Sequence, residues 1–214
     1  MKKGYWIALE GGDGSGKTTV QERLAVKLAF EGYDVITTRE PGGNEYSEAM
    51  RQLIFSPTIK EDPKSQLLGF ILARRRNIIE TIIPALEQGK IIISDRSENS
   101  SFAYQAFEYG LDFDLVQQIN NFGTDGIKPD LTLLLDVEIS TGIARVQQAK
   151  SIDANYFDHS RIEGLEKRQN GYLEMAKNYQ KYQINPWIII DANQDLETVC
   201  EQSTEAVTKF IDSK

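Results

Sequence analysis

Gly11-Gly12-Asp13-Gly14-Ser15-Gly16-Lys17-Thr18 is a complete G-x-x-x-x-G-K-[ST] phosphate loop, a spacing suited to a nucleoside triphosphate. Glycines at 11, 12, 14 and 16 let the backbone turn tightly, with N–H groups aimed inward at phosphate oxygens. A helix opening at Lys17 adds the positive end of its dipole. Lys17 is then placed for the β- and γ-phosphates, and the Thr18 hydroxyl for Mg²⁺, with Thr19 directly after it. The motif needs a strand before it and a helix after it. Tyr5-Trp6-Ile7-Ala8-Leu9 supplies the first, and Val20, Leu24 and Leu28 at helical spacing the second.

Other charged residues follow apolar runs. Ile91-Ile92-Ile93-Ser94 ends in Asp95-Arg96, and an Asp at that point can face the Mg²⁺ across the phosphate loop. Leu133-Leu134-Leu135-Asp136 has the same form and is the rival carboxylate. Arg39, in Thr38-Arg39-Glu40-Pro41-Gly42-Gly43, and Arg96 carry guanidinium forks suited to a second phosphate, and Pro41 stiffens the turn beside them. Two such arginines suggest an acceptor that is itself a phosphate. Phe70, Arg74 and Asn77 share one helical face, where a ring and a bidentate donor suit a nucleobase; ordinary core packing is the other reading of Phe70. Arg75 and Arg76 point elsewhere, to solvent or surface partners. Ser101, Tyr104 and Gln105 line another face, and Ser97 or Ser100 caps that helix.

These residues have to be positioned by a frame. Apolar runs at 5–10, 34–38, 90–94, 131–136 and 187–191 alternate with helical patterns at 17–31, 46–55, 65–88, 98–109, 113–122, 140–149, 163–181 and 195–212. That alternation predicts an α/β fold, a five-stranded parallel sheet with helices on both faces, and ligands bind such sheets at the carboxyl ends of the strands. At 214 residues one domain is expected. The polar stretch 150–162 has no period and is expected to be a mobile loop, within a lid region at about 146–164.

Composition narrows the partners. The net charge of −8 disfavours nucleic acid. One cysteine, Cys200, excludes an internal disulfide, and the single His159 reads as a surface loop residue. No run is long enough for a membrane span, and the start of the chain does not resemble a signal peptide, so a cytoplasmic protein is expected. A GTPase switch would need an Asn-Lys-x-Asp motif, which the chain lacks.

Over nearly its whole length the chain resembles the thymidylate kinases. The likeness rests on Glu10 to Thr19, Thr38-Arg39-Glu40-Pro41-Gly42-Gly43, Phe70-x-x-Ala73-Arg74, Asp95-Arg96-x-x-x-Ser100-x-x-Ala103-Tyr104-Gln105, Gly142-Ile143-x-Arg145 and Ile190-Asp191-Ala192-Asn193-Gln194. The resemblance implies Mg²⁺-dependent transfer of the ATP γ-phosphoryl group to dTMP, giving dTDP. It also implies a homodimer. By position, it places Asp13 by the sugar 3′-OH, Arg39 and Arg96 on the acceptor phosphate, Phe70 on the thymine and Arg74 at its carbonyl. Ser101 and Gln105 fall by the base, Tyr104 beneath the deoxyribose, and Arg145 with Ala192-Asn193-Gln194 around adenine. With no arginine in the phosphate loop, the resemblance moves that charge to the lid, where Arg161 is the candidate and Lys150 and Arg168 the alternatives. Ser97 replaces an aromatic or His and Asn44 a Thr. Those departures leave dUMP, a 5-substituted dUMP or a non-catalytic role as alternatives.

Overall fold

The computed structural model describes residues 4–59, 61–150 and 159–214. Strands β1 (Tyr5–Glu10), β2 (Val35–Arg39), β3 (Ile91–Asp95), β4 (Leu131–Asp136) and β5 (Trp187–Asp191) pair in parallel, in the spatial order β2-β3-β1-β4-β5. Each lies within one residue of the run read from the sequence. Every residue of β1 is buried, because helices cover both faces of the sheet and an enclosed parallel strand needs an unbroken apolar run.

Alternate side chains serve the two faces. Tyr5, Ile7 and Leu9 pack with Val20, Leu24 and Leu28 of α1 (Lys17–Phe30) and with Val199 and Val207 of α9 (Leu196–Asp212). Trp6 turns the other way, against Ile78 and Ile82. On that side lie α2 (Glu45–Ile54), α3 (Pro63–Asn77), α4 (Ile83–Glu87), α5 (Glu98–Ser101) and α6 (Phe113–Thr124); α7 (Ile139–Lys150) and α8 (His159–Lys177) follow β4. A second core there joins Leu67, Phe102, Val116, Leu134, Tyr172 and Trp187.

Two expected α-helices are interrupted. The stretch 65–88 is α3, a π-helical turn at Ile78–Ile82, then α4. Pro84 has no N–H to return to the preceding turn, and a wider turn upstream accommodates the gap. The stretch 98–109 is α5 followed by a π-helical segment, Phe102–Glu108, and such segments gather at functional sites. Helix α8 begins at His159, earlier than its expected start at 163, so His159 opens a helix and is not in a loop. Residues 151–158, most of the expected lid loop, lie outside the described residues. None of the described helices is long and apolar enough to cross a membrane.

Candidate active site

Strand register brings the chemistry to one edge. Leu9 and Arg39 both pair with Asp95, and Asp136 pairs with Asp191, so β2 ends level with β3 and β4 with β5, and the carboxyl ends of all five parallel strands open on the same edge. The phosphate loop leaves β1 there. Gly16 caps α1 in the left-handed conformation (φ 88°). Gly14 (φ 77°) lies so close to α7 that a Cβ would meet the Gly142 carbonyl oxygen at 2.3 Å. Lys17 folds back over this cradle, donating to the carbonyls of Gly11 (3.0 Å) and Gly12 (2.9 Å) and to Ser15 Oγ (3.3 Å). Burial, reinforced by Arg96, pulls its ammonium down to about 8.

The Thr18 hydroxyl donates to Asp95 Oδ2 at 2.7 Å, whereas Asp136, the rival carboxylate, accepts from Gln169 at 3.0 Å. Thr18 and Asp95 thus place an alcohol and a carboxylate oxygen together at the mouth of the loop, a donor set that suits Mg²⁺ with phosphate and water. Arg145 bridges the outer rim, donating to the carbonyls of Gly14 (3.3 Å) and Ala192 (3.0 Å). Asn193 Oδ1 accepts from the backbone of Glu138, so the 192–194 turn is fastened to the end of β4. Thr19 is exposed in the first turn of α1.

Beyond Asp13 lies a cavity of about 330 Å³. It is lined by Pro41, Phe70, Arg74, Arg96, Ser100, Ser101, Tyr104 and Gln105, so the sequence-derived acceptor residues meet in one place, except Arg39. Its volume suits a mononucleotide. Arg74 is buried and committed: Nε donates to Glu40 at 2.6 Å, and its other nitrogens reach Ser101 (3.2 Å), the Ser97 carbonyl (3.0 Å) and Asn120. Those four bonds leave one of five N–H donors for a ligand. Arg96 holds φ 75°, a left-handed conformation uncommon outside glycine, and reaches Asp13 (3.1 Å), Ser100 (3.1 Å) and Tyr172 (3.3 Å).

Residues 9–203 match the family model for thymidylate kinase. The chain belongs to the thymidylate kinase family. A solved structure of the thymidylate kinase from Ehrlichia chaffeensis is 30% identical to it, with a TM-score of 0.77 over 96% of this chain and 99% of that one. The chain is accordingly a kinase that phosphorylates dTMP, built on the nucleoside monophosphate kinase fold.

For a thymidylate kinase, the structure revises several of the sequence-based placements. Arg39 does not line the 330 Å³ cavity; it is exposed and makes a two-bond fork to Glu48 (2.9 and 2.8 Å), nine residues along on α2. Arg51, unnoticed in the sequence, lines the cavity in its place, anchored on the Pro41 carbonyl at 3.0 Å. The helical pattern at 46–55 marks α2 but does not single out Arg51, whose place at the cavity depends on how that helix packs. Asn77 shares the face of Phe70 and Arg74 but is fully buried and accepts from Thr38, outside the cavity lining. Arg75 and Arg76 do pair at the surface, with Asp125 and Glu80.

Ser97 caps α5, accepting from Asn99 N at 3.2 Å, and its hydroxyl also donates to Glu10 at 2.9 Å. Asn44 caps α2 through Ser47 N at 2.8 Å. Both departures from the family pattern are therefore helix caps. Of the three lid candidates, the side chains of Arg161 and Lys150 lie outside the described residues. Arg168 is buried on the core side of α8: it lies 3.7 Å over the Tyr104 ring, bonds Glu108 at 2.7 Å and approaches Asp13 at 3.8 Å.

Gly142, which the sequence reading named only within the Gly142-Ile143-x-Arg145 segment, packs against the phosphate loop. A Cβ there would stand 2.6 Å from the Asp13 carbonyl oxygen, a backbone atom that cannot step aside alone. Gly142→Ala is expected to displace the phosphate loop and lower kcat/KM for ATP about 10-fold, the cost of about 1–3 kcal/mol of overpacking. Steady-state kinetics with varied ATP checks it; an unchanged value would mean that the loop and α7 separate freely.

Proposed function

We propose that the phosphate loop and the 330 Å³ cavity are the donor and acceptor halves of one site, in which an oxygen of the dTMP 5′-phosphate attacks the γ-phosphorus of ATP directly. The new P–O bond forms as the bond to the ADP oxygen breaks, so dTDP and ADP leave and no protein nucleophile is used. The observation that carries this reading is the position of Asp13 and Arg96, bonded at 3.1 Å on the wall between the two halves.

Lys17, Gly11 to Gly16, Thr18 and Thr19 hold the triphosphate, with Arg145, Ala192 and Asn193 on the adenine side. Thr18 and Asp95 hold Mg²⁺, which when bound neutralises charge on the transferring phosphates. Arg51 and Arg96 grip the acceptor phosphate, Arg39 contributing only field from its pair with Glu48. Phe70 stacks on the thymine, Arg74 donates to its carbonyl, and Tyr104, backed by Arg168, floors the deoxyribose. Alignment and neutralisation are most of what phosphoryl transfer asks of a protein.

Coupled ADP release across dTMP, dUMP, dCMP and dGMP tests this reading. Turnover is expected to be highest with dTMP; preference for dUMP would support the alternative acceptor, and ATP binding without turnover of any would refute catalysis. Arg161 is our candidate for the transition-state charge that the phosphate loop lacks. Arg161→Ala should then lower kcat far more than the acceptor KM, and an unchanged kcat would remove it from that role.

Helices α3 and α6 pack together and expose Leu68, Leu72, Leu115 and Phe122, the last 85% exposed, with Ile79 beside them. Such a patch marks an interface, and we assign it to a homodimer. Leu72→Glu should shift the sedimentation coefficient from dimer to monomer; a monomeric wild type would refute the assignment.

A further inference from the structure

We propose that Gln66 is a specificity-determining residue: it fixes which end of the Gln105 amide meets the base, and so sets the preference for an imide pyrimidine. The inference rests on the acceptor reading above, with the base lying between Phe70 and the π-helical segment.

Gln66 stands on α3 one turn before Phe70, and Gln105 on the segment opposite; both line the acceptor cavity. Gln66 is 7% exposed and Gln105 1%. Gln105 Nε2 donates to Gln66 Oε1 at 3.5 Å. That contact commits the donor end of Gln105 to the protein. Its other end, Oε1, is buried and has no hydrogen-bond partner among the described residues. A buried acceptor left unmade is costly, so a ligand that brings an N–H to it is favoured.

Thymine and uracil carry N3–H between two carbonyls, which meets that need. Cytosine presents a lone pair at N3, and two acceptors would face each other. The discrimination therefore depends on Gln105 being held this way round. An acceptor at residue 66 holds it so. Residue 66 thus acts through Gln105 without touching the reacting atoms.

The test is kcat/KM for dTMP, dUMP and dCMP with wild type, Gln66→Glu and Gln66→Met. A carboxylate only accepts, so Gln66→Glu should keep the dTMP:dCMP ratio at or above the wild-type value. Methionine anchors neither end of Gln105, and Gln66→Met should lower that ratio about 10-fold, through the acceptor KM, while dTMP:dUMP stays unchanged. General damage to folding would depress all acceptors together and leave the ratios alone. Wild-type turnover of dTMP with the same dTMP:dCMP ratio in both variants would overturn the role of Gln66 and leave the kinase reading standing. A wild type inactive on all three nucleotides would overturn both.

Discussion

Lys17→Met is expected to lower kcat about 10³-fold while the protein stays folded, the scale set by removal of a preorganised charge from a developing oxyanion. Methionine keeps the length and apolar stem of the side chain, so α1 should hold its place. What disappears is the ammonium that now rests on the Gly11 and Gly12 carbonyls and Ser15. Those hydrogen-bond partners are neutral, and a buried cation gains more from charged phosphate oxygens than from neutral ones. Burial, with Arg96 nearby, accordingly lowers the Lys17 pKa to about 8. As pH rises through 8, Lys17 loses its proton, and binding of a triphosphate must restore it. ATP affinity should thus be complete below about pH 8 and decline above it, with proton uptake on binding. Calorimetry at pH 8.5 in two buffers of different ionisation heat measures the uptake, and Lys17→Met should abolish it. Equal kcat in wild type and variant would contradict this role.

The second large effect is structural and starts at Glu10. This carboxylate is fully buried at the end of β1. Its Oε1 accepts from Ser97 N (2.8 Å), Ser97 Oγ (2.9 Å) and Ser100 N (3.2 Å), and its Oε2 from Ser100 Oγ (2.6 Å) and Tyr172 OH (3.0 Å). One side chain thus ties the phosphate-loop strand to the turn that presents Arg96, and to α8. Glu10→Ala leaves those donors buried and unpaired and leaves Asp13, at 3.1 Å, as the carboxylate paired with Arg96. The expected cost is about 3–5 kcal/mol, the range for breaking a buried charged network, and a fall in Tm of about 10 °C. The acceptor KM should rise with it, because the Arg96 turn loosens. A melting temperature within about 1 °C of wild type would show that water or a rearranged turn replaces the carboxylate.

How far these features could be read in advance depended on distance along the chain. The phosphate loop and the five strands are local patterns, and each strand sits within one residue of its expected place. The acceptor cavity was legible wherever its residues follow a strand or share a helical face, as do Phe70 and Arg74. Arg39 lies outside the cavity lining because it pairs with Glu48, whose approach depends on how α2 packs. Arg51 was missed for the same reason. Glu10 looked like the end of an apolar strand, and its five donors come from residues 97, 100 and 172. The two π-helical segments share their side-chain periodicity too closely with an α-helix to be seen. Arg168 reads as one charge on a polar helix, and only the fold lays it over Tyr104.

The central claim is that one site joins donor and acceptor nucleotides for direct transfer. Incubation with ATP labelled at the γ-phosphoryl group, Mg²⁺ and dTMP, followed by separation of the nucleotides, tests it most directly. The label should appear in dTDP, with ADP formed in equal amount and no labelled protein. Label released as inorganic phosphate, or retained in ATP while dTMP is bound, would contradict the account.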